Sequence, residues 1–280
     1  MRNNIALFVV FYPGIEKFVN DFIYSLRNQS RKDFDLIVVN DGYSNKNIQS
    51  LYPDLNIVEL EFGSTISKNR EYGINYIIKQ DYEFLILCDA DDYYSKDRVA
   101  LTVEALAEAD IVVNDLNVVS FDKKILVEGY LSNSIGITTN IDLAFLLEKN
   151  ILGFSNTGLR VSKLRKVYYP IDLKIVDWYY YTLLLREGLT VKYVPQNLTF
   201  YRQHNDNLIG IGQLTVDLFR KMSKLKLEHY IYLTQLDPFF SSLKDKYLQL
   251  VQMNDNQIES ILNIQKTKNK YPLWWESINF

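Results

Sequence analysis

Three carboxylates within four residues, Asp89, Asp91 and Asp92, follow the apolar run from Phe84 to Cys88. Negative charges this close repel one another, and at the end of a buried strand the repulsion calls for a cation or a ligand-borne charge. Oxygen ligands without a partner cysteine suit Mg²⁺ or Mn²⁺, ions that keep several waters and bridge to phosphates. The other reading of the same residues is a solvated acidic turn leading into a helix, with Ser95 as N-cap and Asp97 favouring the helix N-terminus.

Three further places carry chemistry-bearing groups. Asp41, in Val38-Val39-Asn40-Asp41-Gly42, sits just past a second apolar run. There a carboxylate accepts hydrogen bonds from a base or a ribose, or serves an ordinary Asp-Gly turn. Asp177 opens Trp178-Tyr179-Tyr180-Tyr181 at the start of a helical pattern, as a dipole-stabilised side chain or as a general base. The string Tyr201-Arg202-Gln203-His204-Asn205-Asp206-Asn207 places an arginine beside one of the two histidines of the chain. Arg202 has the geometry to hold a diphosphate bidentately, and His204 to ligate metal or phosphate; alternatively both belong to a hydrogen-bonded loop. His229, inside a helical pattern, reads as structural.

The elements that must position these groups follow from periodicity. Ile5 to Phe11, Leu36 to Val39, Ile57 to Leu60, Phe84 to Cys88 and Ile111 to Val113 are continuously apolar, as strands of a parallel sheet buried on both faces are. Between them Ile15, Phe18, Val19, Phe22, Ile23 and Leu26 recur at helical spacing, as do Ile66, Ile74, Ile77 and Ile78, and then Val99, Val103 and Leu106. Alternation of this kind predicts an open α/β sheet with right-handed crossovers, its ligand site outside the carboxyl ends of the strands. From Asn114 to Gln213 strand-like pieces (Leu116 to Ser120, Ile125 to Val127, Val191 to Val194, Leu198 to Tyr201) mix with two helices. One lies near Ile141 to Lys149 with Asn140 as N-cap, and the other runs from Asp177 to a glycine stop at Gly188. From Leu214 the chain reads as helices broken at Asp237-Pro238 and at Asn254-Asp255-Asn256. The expected division is therefore 1–213, in two parts at about 1–113 and about 114–213, followed by a helical extension at 214–280.

Composition bounds the partners. The 280 residues are 48% hydrophobic, with mean hydropathy −0.13, enough apolar material for a sizeable core. With 31 Lys+Arg against 34 Asp+Glu the net charge is −3, which argues against nucleic acid as a general partner. The single cysteine, Cys88, cannot pair within the chain, as fits a reducing compartment. Met1 to Asn4 before the short Ile5 to Phe11 run lacks a cleavage signal and reads as the approach to a first strand, and no apolar stretch is long enough to span a membrane. The expected location is cytoplasmic, at its closest the inner face of a membrane.

The order of these features resembles the family 2 glycosyltransferases with a GT-A fold, in particular bacterial enzymes that build surface polysaccharides. The resemblance spans about residues 5 to 210 and rests on Val38 to Gly42, Lys68-Asn69-Arg70, Asp89 to Asp92, Asn156-Thr157-Gly158, Asp177-Trp178 and Tyr201 to Gly210. It implies a Rossmann-like, mostly parallel open sheet flanked by helices. It also implies that Asp41 contacts the nucleotide base, Lys68 and Asn69 lie over the nucleotide, Asp89 meets the ribose, Asp91 ligates the metal, Asp92 supports that loop, and Arg202 with His204 closes over the diphosphate. Asp177 would be the general base on an acceptor hydroxyl in an inverting transfer from a UDP- or dTDP-sugar, with Mn²⁺ or Mg²⁺ as cofactor. Asn40, Lys68 and Val176 depart from the residues common in relatives.

Two other functions remain open from the residues: a sugar nucleotidyltransferase, for which Tyr12-Pro13-Gly14 offers only one glycine after the first strand, and a non-catalytic nucleotide-sugar-binding relative. The implied acceptor is a glycan or a lipid-linked chain. In the tail, Leu218, Met222 and Leu225 alternate with Arg220, Lys221, Lys224 and Lys226, and Tyr271 precedes Leu273-Trp274-Trp275. This pattern suits peripheral contact with an anionic membrane, packing of a subdomain, or a homodimer contact.

Overall fold

Continuous apolar runs become the central strands, because a sheet covered by helices on both faces hides every side chain of such a run. The computed structural model describes residues 3–44, 47–136, 140–147, 149–204 and 215–266. Its first half alternates β1 (Ile5–Phe11), α1 (Glu16–Arg27), β2 (Phe34–Asn40), α2 (Ile48–Leu51), β3 (Ile57–Glu61), α3 (Ile66–Ile78), β4 (Phe84–Leu87), β5 (Tyr93–Tyr94), α4 (Arg98–Ala105) and β6 (Ile111–Val119). There follow β7 (Ile125–Val127), α5 (Tyr130–Ile135), α6 (Leu143–Leu146), β8 (Thr157–Arg160), α7 (Val176–Arg186), β9 (Val191–Arg202), α8 (Val216–Leu236), α9 (Ser241–Gln252) and α10 (Asp255–Lys266).

The strands form one sheet in the order β3-β2-β1-β4-β8-β6-β9-β5, with β7 on β6. Strands β1, β2, β3, β4, β6 and β9 point the same way, and β5, β7 and β8 run against them. The expected mostly parallel α/β sheet is thus present, with β8 inserted antiparallel between β4 and β6. Gly158 makes that insertion possible: a Cβ there would lie 2.4 Å from Thr102 Cγ2 on α4. Gly73 of α3 is pressed equally hard on β1, where a Cβ would meet the Phe8 ring at 2.2 Å. At the outer edge, β3 is tied to the α2 segment: Gln49 Oε1 accepts the Ile57 amide at 2.7 Å, and the Glu59 side chain accepts the Ile48 amide at 2.8 Å.

Several boundaries differ from those expected. Ile111 to Val113 and Leu116 to Ser120 merge into the single strand β6, and Val191 to Val194 and Leu198 to Tyr201 into β9. The pairing of β6 with β9 shifts register around Asp115, passing from Asn114–Val194 to Asp115–Asn197, so that Pro195, which has no amide to donate, falls in the bulge. Helix α6 is capped by Asp142, whose side chain accepts the Phe145 amide at 2.9 Å, in place of Asn140. Asp97 occupies the cap position of α4, while Ser95 gives its carbonyl to the Arg98 amide. The glycine stop of α7 is Gly188, at φ +88°.

The helices after residue 214 do not stand apart. Phe219, Met222, Leu225, Tyr230, Leu233, Phe240, Tyr247 and Leu250 belong to the same contiguous buried core as Phe8, Ile37, Leu85 and Trp178. The apolar stripe of α8 that the tail's composition offered to a membrane is therefore inside the molecule, and Lys226 is buried with it. The chain breaks at Pro238 and Asn254 as expected. Among the described residues no helix is long and apolar enough to cross a membrane; Tyr271 and Leu273-Trp274-Trp275 lie outside them.

Candidate active site

The carboxyl ends of β1, β2 and β4 open onto a cavity of about 410 Å³, where the topology of an open α/β sheet places a ligand. Tyr12, Asp41, Asn69, Arg70, Asp89, Asp91, Phe154 and His204 line it. Asp41 serves the turn and the cavity together: its Oδ1 accepts the Ser64 amide at 3.2 Å, and Gly42 takes φ +79°. Asn69 is buried at the start of α3, giving its amide to the Ser64 carbonyl at 3.3 Å and leaving Oδ1 without a partner. A buried acceptor in that state is suited to a ligand donor.

The three carboxylates after β4 take three different surroundings. Asp91 Oδ2 lies 2.9 Å from His204 Nε2, whose ring packs on Phe18 at 4.8 Å. Asp92 is buried and turned away from the cavity, accepting the Ser155 hydroxyl and the Arg202 amide at 2.7 Å, so it locks the turn to β9. Burial, reinforced by Asp91 and Asp89, pushes its carboxyl well above the usual range. Asp89 is pushed up to about 6, mainly by burial; Asp91 and Asp177 add to the rise, and Arg70, 2.9 Å away through its Nη2, opposes it. The Tyr12 hydroxyl is also raised, first by burial and then by Asp91 and Asp89.

Two expected contacts are redirected. The Arg202 guanidinium is buried, paired with Asp21 at 2.8 Å, donated to the Phe121 carbonyl and stacked over Phe18. It braces β9 against α1 and does not line the cavity, so the diphosphate contact expected of it has no support in this geometry. Lys68 turns back along α3 to Glu71 at 2.8 Å. The cation that does line the cavity is Arg70, one residue beyond the Lys68-Asn69 pair, seated 4.4 Å over the Phe154 ring. Its presence in the run Lys68-Asn69-Arg70 was the available signal; the phase of α3, which decides the residue facing β4, was not.

Asp177 lies in the first turn of α7, half-buried. Its Oδ1 accepts the Trp178 amide at 2.7 Å, and a Cβ on Gly153 would come 3.9 Å from Oδ2. Burial raises its pKa, while Arg70 pulls the other way. Arg70 thus acts electrostatically on both Asp89, at the cavity wall, and Asp177, from a different element. Asn205, Asp206 and Asn207 lie outside the described residues.

The pair Asp91–His204 fits one flank of a divalent cation. It combines a carboxylate oxygen and an imidazole nitrogen on a cavity wall, and Mg²⁺ or Mn²⁺ completes its shell with water and phosphate oxygens. Among the described residues no group of three or more such side chains is gathered, so any ion held there depends on its ligand for much of its coordination.

Comparison with known proteins agrees with this architecture. The model of glycosyl transferase family 2 matches residues 7–168. An uncharacterized glycosyltransferase of Bacillus subtilis, YwdF, is 28% identical over 123 residues, which are 43% of this chain and 44% of that protein; the match thus spans less than half of its curated relative. Among solved structures, S. aureus TarS 1-349 in complex with UDP superposes with a TM-score of 0.61 at 16% identity, over 88% of this chain and 70% of that one. Mannosyltransferase PcManGT from Pyrobaculum calidifontis, in complex with GDP-Man and Mn²⁺, gives 0.59 at 13% identity, over 97% and 77%. The sheet has the GT-A form of both structures, and the family match covers more than half of the chain, so the protein belongs to glycosyl transferase family 2.

Proposed function

We propose that the protein moves a sugar from a nucleoside-diphosphate donor to an acceptor hydroxyl with inversion, using Asp177 as the general base and a divalent metal, Mn²⁺ or Mg²⁺, at Asp91 and His204. The observation that carries this reading is the meeting of Asp91 and His204, 113 positions apart, at 2.9 Å on the wall of the cavity. That UDP-GlcNAc is bound in a TarS structure and GDP-Man with Mn²⁺ in PcManGT supports a nucleotide sugar as the donor class. The UDP- or dTDP-sugar, the glycan or lipid-linked acceptor of polysaccharide synthesis, a homodimer and peripheral membrane contact all belong to this proposal. So does the division into a donor half at 1–113, an acceptor half at 114–213 and a helical extension.

Each residue has a physical task. Asp41 and the unpartnered Oδ1 of Asn69 accept hydrogen bonds from the nucleoside, and Asp89 from the ribose hydroxyls. A cation held at Asp91 and His204 supplies positive charge to the departing diphosphate. Asp92 fixes the turn that carries Asp89 and Asp91. Arg70 opposes the rise that burial imposes on the Asp89 and Asp177 carboxyls and takes the cationic position first expected of Lys68 and Arg202. As the sugar gains oxocarbenium character, Asp177 takes the proton of the attacking hydroxyl on the opposite face; a carboxyl made more basic by burial is suited to that step.

The test is a melting-temperature screen of UDP-, dTDP- and GDP-sugars with and without Mn²⁺, followed by single-turnover release of nucleoside diphosphate by Asp177→Asn. Donor binding is expected to survive while release falls by roughly 10² to 10⁴. Near-normal release would remove Asp177 as the base, and parallel loss of donor binding would move it into the nucleotide site.

A further inference from the structure

The group that holds the Asp177 carboxylate, Trp178, is itself held by α8. On one side Trp178, whose amide is given to Asp177 Oδ1 at 2.7 Å, stacks its ring on His229 with centroids 4.4 Å apart and planes 14° apart. The same indole donates its Nε1 to the Leu146 carbonyl at 2.7 Å. On the other side, the Tyr230 hydroxyl donates to the Leu147 carbonyl, next to the Leu146 carbonyl that accepts the Trp178 indole. Tyr230 also meets Trp178 edge-on at 5.9 Å and is stacked on Tyr247 of α9 at 5.4 Å. All of these side chains are buried, Trp178 and Tyr230 completely.

His229 has a further peculiarity: neither ring nitrogen has a hydrogen-bond partner. A buried polar ring in that state adds nothing to stability that an apolar ring of similar shape would not. Its stack on the residue after Asp177 is what the geometry retains.

We propose that His229 and Tyr230 are positioning residues for transfer, through which the C-terminal helices fix Trp178 from two directions and with it the Asp177 carboxylate. The inference rests on Asp177 being the base. His229 acts on Trp178 by the stack and so on the first turn of α7; Tyr230 acts on Trp178 edge-on and through the end of α6, whose Leu146 carbonyl holds the indole. Since an error of about 1 Å in a reacting group costs up to roughly 10²-fold in rate, loosening either side lowers turnover without touching the donor cavity.

The experiment uses the full-length protein with Mn²⁺ and the UDP-, dTDP- or GDP-sugar that most raises its melting temperature, water serving as the acceptor. His229→Ala, His229→Phe, Tyr230→Phe and Asp177→Asn are compared by kcat, KM and donor affinity per folded molecule. Tyr230→Phe loses one hydroxyl and keeps its ring, which guards against the case in which His229→Ala does not fold. Tyr230→Phe and His229→Ala are expected to lose roughly 10-fold to 10²-fold in kcat with donor KM and affinity unchanged, and His229→Phe, which keeps the stack, to restore the rate. In the Asp177→Asn background Tyr230→Phe is expected to change nothing further, since both act through one carboxylate. A lowered melting temperature with unaltered kcat in Tyr230→Phe, while Asp177→Asn is inactive, overturns the positioning role alone; normal release by Asp177→Asn overturns the base assignment and the positioning role with it.

Discussion

Asp91 and His204 are held together by a single 2.9 Å contact, so each carries a large part of whatever the pair does. Asp91→Asn is expected to abolish Mn²⁺-dependent donor binding, measured by calorimetry, while the melting temperature of the ligand-free protein stays level or rises, because one of three crowded charges is gone. The acidic turn was legible because an apolar run led straight to it, and His204 because it followed another such run. Arg202 was misread for a reason of distance: its partner Asp21 lies 181 positions earlier, on α1, where nothing in the sequence marks it as a counter-charge. Arg70 was passed over because Lys68 and Asn69 already filled the pattern, and only the helix itself turns Lys68 back to Glu71.

The end of β4 depends on Arg98 at the start of α4. Its guanidinium, completely buried, donates to the carbonyls of Leu87, Ser155 and Thr157 and to the Thr199 hydroxyl, and lies 4.1 Å over the Tyr94 ring. Arg98→Met keeps the bulk and orphans those acceptors, so a loss of about 2–5 kcal/mol is expected by denaturant unfolding. Strands were legible where apolar residues ran unbroken. Strand β8, Thr-Gly-Leu-Arg, was not: it is four residues long and contains a glycine whose purpose, close approach to Thr102, appears only in three dimensions. The two halves of β6 and of β9 read as separate pieces because the polar Asn114-Asp115 and the Pro195 bulge interrupt runs that the ladder joins.

For the molecule as a whole, the C-terminal helices are part of one core, and their buried histidine links stability to pH. Burial, helped by Lys226, lowers the His229 pKa from 6.5 to about 3. Between those values the unfolded chain binds a proton that the folded one refuses, so stability falls as pH drops below about 6.5, by about 1.4 kcal/mol per unit from this group. His229→Phe is expected to flatten that part of the curve of unfolding free energy against pH. The helical nature of the tail was legible from its periodicity. Its attachment to the sheet-bearing part was not, because the contacts of Trp178 with His229 and Tyr230 join elements separated by the whole of β9.

The capped Ile57 amide on the β3 edge bears on how copies of this protein would meet. An open sheet invites a stranger's strand wherever amides and carbonyls stand unpaired. Here Gln49 already occupies the Ile57 amide, and the opposite margin, β5, is only two residues long. Strand-to-strand joining thereby loses one donor at the β3 margin and finds only a short partner at β5. Gln49→Ala is expected to quicken hydrogen exchange at the Ile57 amide and to raise the aggregated fraction on refolding at high concentration. An Ile57 amide still protected, with refolding yield unchanged, would place the safeguard elsewhere on that margin.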